Sequence, residues 1–86
     1  MHYKITISIV SHSQGRLVAR ALESLARVTK CSDVEIIVTK NLPEQISYPS
    51  GLHVVELTNL RPRGFAQNHN RAFEISNGKF FCVLNP

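Results

Sequence analysis

Lys4-Ile5-Thr6-Ile7-Ser8-Ile9-Val10 alternates apolar β-branched residues with short polar ones, then runs straight into Ser11-His12-Ser13-Gln14-Gly15, a cluster of turn formers. A period-two strand cannot continue through five such residues, so the chain leaves the strand for a polar loop. From Arg16 the period changes. Leu17, Val18, Ala21, Leu22, Leu25 and Val28 recur at helical spacing, with Arg16, Arg20, Glu23 and Arg27 opposite them. The pattern predicts an amphipathic helix that ends near Thr29 to Cys31 and returns the chain for a second strand alongside the first.

Val34-Glu35-Ile36-Ile37-Val38 is that second strand, stopped by Lys40-Asn41-Leu42-Pro43. Residues 43–51 carry two prolines, serines and a glycine, and read as a crossover loop with one helical turn. Leu52 to Leu57 forms a third strand, and Thr58-Asn59-Leu60-Arg61-Pro62-Arg63-Gly64 a basic loop. A second helix follows, with Phe65, Ala66, His69, Ala72, Phe73 and Ser76 on one stripe and Asn77-Gly78 as its stop. Phe80-Phe81-Cys82-Val83-Leu84 is the most continuous apolar run, the composition of a strand covered on both faces. Strands and helices in this order predict the α/β class: a mostly parallel four-stranded sheet, spatial order 3-2-1-4, with helices on its faces. Ligands of such sheets bind outside the carboxyl ends of the strands, here residues 11–14, 39–41, 58–64 and 85–86.

At 86 residues the chain makes one domain, and 43% hydrophobic with 19% charged residues places it among folding rather than disordered sequences. A net charge of +4 favours anionic partners without choosing among them. Cys31 and Cys82 are too far apart for a CxxC pair, and two cysteines make no zinc cluster, which points to a reducing compartment. Ile5 to Val10 is far shorter than a membrane span and has no cleavage site, so neither secretion nor insertion is expected.

Neither GxGxxG nor GxxxxGK[ST] occurs, which argues against dinucleotide and Walker-type sites. Arg61-Pro62-Arg63-Gly64 leads into a helix N-terminus, where free N–H groups and the macrodipole favour anions; a phosphate site and a solvated turn are both consistent with it.

Four blocks then occur in order: residues 7–13 (Ile-Ser-Ile-Val-Ser-His-Ser), 35–41 (Glu-Ile-Ile-Val-Thr-Lys-Asn), 64–73 (Gly-Phe-Ala-Gln-Asn-His-Asn-Arg-Ala-Phe) and 83–86 (Val-Leu-Asn-Pro). Together they resemble the N-terminal half of a family 2 glycosyltransferase of the rhamnosyltransferase-like kind. The resemblance spans essentially residues 1–86 and implies the Rossmann-like, three-layer half of a GT-A fold that binds the nucleotide sugar. In that family an Asp follows Asn-Pro and helps hold a divalent cation, so Mg²⁺ or Mn²⁺ is implied with its ligands beyond Pro86. The first loop of the family contacts base and ribose, which implicates Ser11, His12 and Ser13. An Asp that reads the pyrimidine edge commonly follows the second strand; Lys40 and Asn41 stand here, and Asn41 is the residue able to pair with a pyrimidine imide. Arg63, Gly64, Asn68, Asn70 and Asn85 complete the implied nucleotide-sugar site.

The expected activity is transfer of a sugar from a UDP- or dTDP-sugar to a hydroxyl of a saccharide or lipid-linked acceptor, in the cytoplasm or at its membrane periphery. Residues 1–86 contain no catalytic base and no metal carboxylate at a strand end: Glu23, Asp33, Glu35, Glu44, Glu56 and Glu74 map to helix faces, strands or the crossover loop. By itself the chain is expected to bind weakly and catalyse nothing. The alternative is a non-catalytic basic α/β module gripping an anionic polymer or a partner protein; nucleic acid is disfavoured because no aromatics interleave with the basic residues. His69 reads as a hydrogen-bonded core residue, Cys82 as core and Cys31 as surface. Asn68 and Asn70 are poor helix formers whose cost needs an offset from neighbouring loops or ligand. The fourth strand, on the open edge in order 3-2-1-4, is expected to pair with another chain or with further polypeptide.

Overall fold

The computed structural model describes residues 2–86. Strands β1 (Tyr3–Ser11), β2 (Val34–Lys40), β3 (His53–Thr58) and β4 (Gly78–Val83) alternate with helices α1 (Gly15–Val28) and α2 (Phe65–Ile75), and a 3-10 turn (Cys31–Asp33) precedes β2. The sheet order is β3-β2-β1-β4, with every pairing parallel. This is the α/β architecture and strand order expected from the sequence.

Register sorts the side chains onto two unlike faces. Ile5, Ile7 and Ile9 align with Val34, Ile36 and Val38, and Ile36 with Val54, so one face is aliphatic. Val18 and Leu22 of α1 are buried against it, with Leu25 partly so. Leu17 and Val28, at the margins of the expected stripe, remain exposed, as do Arg16, Arg20, Glu23 and Arg27.

The helical turn expected within residues 43–51 does not form. Ile46, Tyr48 and Leu52 pack on the aliphatic core from an extended segment instead, covering β2 and β3 where a crossover helix would lie. Two prolines and the positive φ of Gly51 (92°) favour this path over helix. Lys40 fastens the segment to β3 by pairing with Glu56 (3.0 Å) and donating to the Glu44 carbonyl (3.0 Å). Tyr48 donates its hydroxyl to Glu56 as well, and burial, then that hydrogen bond, push the phenol well above its usual range.

The opposite face, under α2, is largely polar. Thr6, Ser8, Glu35 and Thr39 are buried there, alongside Asn68 and His69 of the helix. Thr6 donates to Glu35 Oε1 (2.8 Å), and Asn77 adds its backbone N–H (2.9 Å) and side-chain amide (3.2 Å) to the same carboxylate. Burial would raise the Glu35 carboxyl, but these donors outweigh it and hold the group below the ordinary carboxylate value. His69 is buried, its Nδ1 2.8 Å from Ser8 Oγ with the Phe65 ring edge against it, and desolvation lowers its pKa. The core reading of His69 therefore stands.

Three expectations about apolar residues are overturned. Phe65 and Phe73 are 60% and 61% exposed, because α2 turns Asn68, His69 and Ala72 to the sheet and leaves Phe65 edge-on to His69 and Phe73 edge-on to Phe81 of β4. Cys82 is exposed rather than core. The β4 run is not covered on both faces: Phe80 and Val83 are 63% and 41% exposed, since β4 pairs with β1 alone and α1 lies over β1 and β2. The Cys31 side chain, expected at the surface, lies outside the described residues.

Candidate functional site

Backbone bonds continue past the strand ends and hold the loops side by side. Asn41 N–H donates to the Ser11 carbonyl (2.8 Å), Asn59 N–H to that of Lys40 (3.0 Å) and Leu84 N–H to that of Ser8 (3.0 Å). Loops 11–14, 41–42, 59–64 and 84–86 therefore share the carboxyl edge of the sheet.

At their junction three asparagine amides close a network. Asn41 Oδ1 accepts from Arg63 N–H (2.8 Å), Asn59 Nδ2 (2.8 Å) and Asn68 Nδ2 (3.3 Å). Asn41 Nδ2 donates to the Arg63 carbonyl (3.1 Å) and lies 3.0 Å from His12 Nδ1. Asn59 Nδ2 also donates to Asn68 Oδ1 (2.7 Å), and Asn68 Nδ2 to the Arg63 carbonyl (3.2 Å). All six amide N–H bonds of the trio are thus used. With Asn41 donating to His12 Nδ1, that nitrogen is the acceptor and the ring N–H is on Nε2, so the exposed ring is held by its inner nitrogen. Arg63 is gripped through its backbone while its side chain stays exposed.

A cleft of about 290 Å³ opens above this network, lined by His12, Asn41, Arg63, Asn68 and Asn85 of the nine expected site residues. Val10, Gln14, Phe65 and Pro86 line it too. The rings of His12 and Phe65 offer flat apolar surface, Gln14 and Asn85 polar side chains, and Arg63 a positive charge. Among the described residues no carboxylate side chain lines the cleft.

The other expected residues take different parts. Ser11 is buried, its hydroxyl donating to Glu44 Oε2 (2.6 Å) and accepting from Gln14 N–H (3.1 Å). Ser13, in a left-handed conformation (φ 62°), lines a separate pocket at the start of α1. Gly64 is the N-cap of α2, and its N–H reaches Gln67 Oε1 at 3.4 Å. Asn70 is exposed and outside the cleft, so the two helix asparagines divide: Asn68 is offset by loop contacts and Asn70 faces solvent. Asn41 spends its amide within the protein, so its geometry positions Arg63 and His12 rather than presenting a free edge to a base.

Two contributors were missed from sequence. Glu44, assigned to the crossover loop away from the strand ends, reaches back to the β1–α1 junction and accepts from Gly15 N–H (3.0 Å) and Ser11. It fills the anion position at the α1 N-terminus with the protein's own charge. A Cβ on Gly15 would lie 2.6 Å from that carboxylate. Asn59 followed a strand and looked like a turn residue; its side chain is instead 6% exposed and central. Its position directly after a strand end, among other amides, was the available signal.

No family model, curated protein or solved structure matches the chain. Support for a functional reading comes from this geometry and from the sequence blocks that end or begin at the same edge.

Proposed function

We propose that the chain is the nucleotide-sugar-binding portion of a GT-A-type glycosyltransferase that uses a UDP- or dTDP-sugar donor. The observation that carries this reading is the convergence of His12, Asn41, Arg63 and Asn68 through one amide network at the carboxyl edge, beneath a cleft bounded by two rings and a guanidinium. In the proposal the base lies against the His12 and Phe65 rings, and Gln14 and Asn85 hydrogen-bond its polar edge or the ribose. Arg63 neutralises the diphosphate beside the N-terminus of α2. Asn41 and Asn68 act indirectly, by holding Arg63 in place.

The part these residues perform is binding and orientation. A divalent cation assists loss of a nucleotide diphosphate by neutralising its charge, but no cluster of three or more His, Cys, Asp or Glu side chains able to hold one exists among the described residues, and the cleft lacks a carboxylate. In the proposal the ligands of Mg²⁺ or Mn²⁺ are not among these residues, whose part is to bind and orient the nucleotide. No helix among the described residues is long and apolar enough to cross a membrane. The saccharide or lipid-linked acceptor, and a setting in the cytoplasm or at its membrane face, belong to the same proposal.

Titration of the ¹⁵N-labelled chain with UDP, dTDP, GDP and free sugar tests it. The amides of residues 11–14, 63–67 and 84–85 should shift, with the pyrimidine diphosphates preferred. Shifts confined to the Arg16, Arg20 and Arg27 face, or equal affinity for all four, would refute it.

A further inference from the structure

We propose that a second pocket, at the carboxyl end of β3, is a separate anion site that takes a phosphate group through Arg61, Arg63 and Arg71. The pocket has a volume of about 470 Å³ and is completed by Thr58, Asn59 and Leu60. Its three guanidiniums come from two elements, the β3–α2 loop and α2 itself.

Two observations distinguish it from a patch of solvated arginines. First, Arg71 is positioned. Its Nη1 donates to Asn59 Oδ1 (3.2 Å), and Asn59 is buried with both amide protons committed to Asn41 and Asn68. A neutral carbonyl oxygen orients Arg71 without cancelling its charge. Second, among the described residues no carboxylate lies within ion-pair distance of any of the three; the pair formed is Lys40–Glu56. Glu56 holds Lys40 and Tyr48, Glu44 caps α1, and Glu74, three residues after Arg71 on α2, forms no ion pair with it among the described residues. Three like charges gathered without a counter-ion repel one another, and a dianion that accepts paired N–H donors relieves this. Phosphate has that charge and geometry.

The site goes beyond the nucleotide cleft, with which it shares Arg63 as a common wall. Phosphate could arrive on a soluble ester or on a lipid headgroup. Leu60, fully exposed at the rim, would touch the acyl boundary in the second case.

The test uses the 86-residue chain in three arms. In the first, inorganic phosphate and pyrophosphate are titrated at constant ionic strength, and the amides of residues 58–61 with the Arg71 Nε–H should shift. Arg61→Ala, which removes an exposed side chain and leaves the fold intact, should weaken binding about tenfold; Arg71→Lys should do the same, while Arg16→Ala has no effect. In the second, flotation with phosphatidylcholine vesicles, with and without phosphatidylglycerol, reads the lipid source. Leu60→Ser should reduce vesicle binding alone if a headgroup is the carrier and change nothing if it is a soluble ester. In the third, uridine, which lacks phosphate, should shift His12 and Asn85 but not residues 58–61. Unchanged phosphate affinity in Arg61→Ala and Arg71→Lys would overturn the proposal, as would shifts spread evenly over all arginines. UDP binding in the cleft with no phosphate response at residues 58–61 would overturn this site and leave the nucleotide reading intact.

Discussion

Replacing Asn41 by alanine removes the hub of the carboxyl-edge network and should separate stability from binding in a measurable way. Five hydrogen bonds involve the Asn41 side chain: two to the Arg63 backbone, and one each to Asn59, Asn68 and His12. All five go with the side chain, but not every partner is orphaned, because the Arg63 carbonyl still accepts from Asn68 Nδ2 and Asn59 Nδ2 still donates to Asn68 Oδ1. Arg63 N–H and one amide proton each on Asn59 and Asn68 lose their acceptor. Arg63 and His12 are exposed, so water replaces part of their loss, whereas Asn59 and Asn68 are 6% and 1% exposed. With about 0.5–1.5 kcal/mol per ordinary bond and about 1–3 kcal/mol per orphaned buried group, Asn41→Ala should cost about 3 kcal/mol. A domain of this size has stability near the lower end of about 5–15 kcal/mol, so the variant should remain folded but with a much lower urea midpoint. Amide exchange should show Arg63 N–H losing its protection while the β1–β2 ladder retains most of its own. A loss below about 1 kcal/mol, with Arg63 N–H protection unchanged, would refute the idea that the network holds this loop.

Four further outcomes follow from the packing. Thr39 Oγ1 is buried without a protein partner, so Thr39→Val should stabilise the chain by about 1 kcal/mol in urea melts. Gly78→Ala should fail to reach native stability, because its Cβ would lie 2.4 Å from Thr6 N and 2.7 Å from the Ile5 carbonyl carbon; circular dichroism melts read this directly. Acid should destabilise in two stages. His69, with its pKa lowered by burial, contributes stability that is full above about 6.5 and lost as pH falls below it; Glu35, held low by its donors, contributes stability that is full above about 4.3 and lost as pH falls through its folded value. His69→Gln should flatten the first stage and Glu35→Gln the second in chemical melts across pH. Finally, β4 is an open edge with exposed Phe80 and Val83, so the chain should associate with rising concentration in sedimentation velocity, and Phe80→Lys should reduce that association without lowering the melting temperature.

The fold was legible because its signals are local and agree: β-branched alternation through Val10, the 3.6 period from Leu17 and the apolar run from Phe80. What was not legible depends on distance along the chain. Nothing near Glu44 in sequence announces that it caps a helix starting at Gly15, and the missing crossover helix shows that Ile46 and Tyr48 can cover a sheet without helical period. Phe65 and Phe73 share the helical stripe of His69 and Ala72, yet hydrophobicity does not choose the buried face of α2. That face is chosen by hydrogen bonding to Ser8 and to the asparagine loops. The strand-end rule placed His12, Asn41, Arg63 and Asn85 correctly at one edge; it could not show that Asn41 and Ser11 turn inward.

The two unlike faces of the sheet imply two rules of substitution. Under α1, contacts are aliphatic and non-directional, so swaps that conserve volume at Val18, Leu22, Ile36 or Val38 should be absorbed by small repacking. Under α2, Ser8, Glu35, Asn68 and His69 are joined by bonds with a direction, and nearly any single replacement strands a partner. An engineer could therefore redraw one side of this sheet freely while the other, the unpartnered Thr39 apart, must be changed in matched pairs. The constrained side is the one that sets the rotation and height of α2, and with them where the arginines of its leading loop stand.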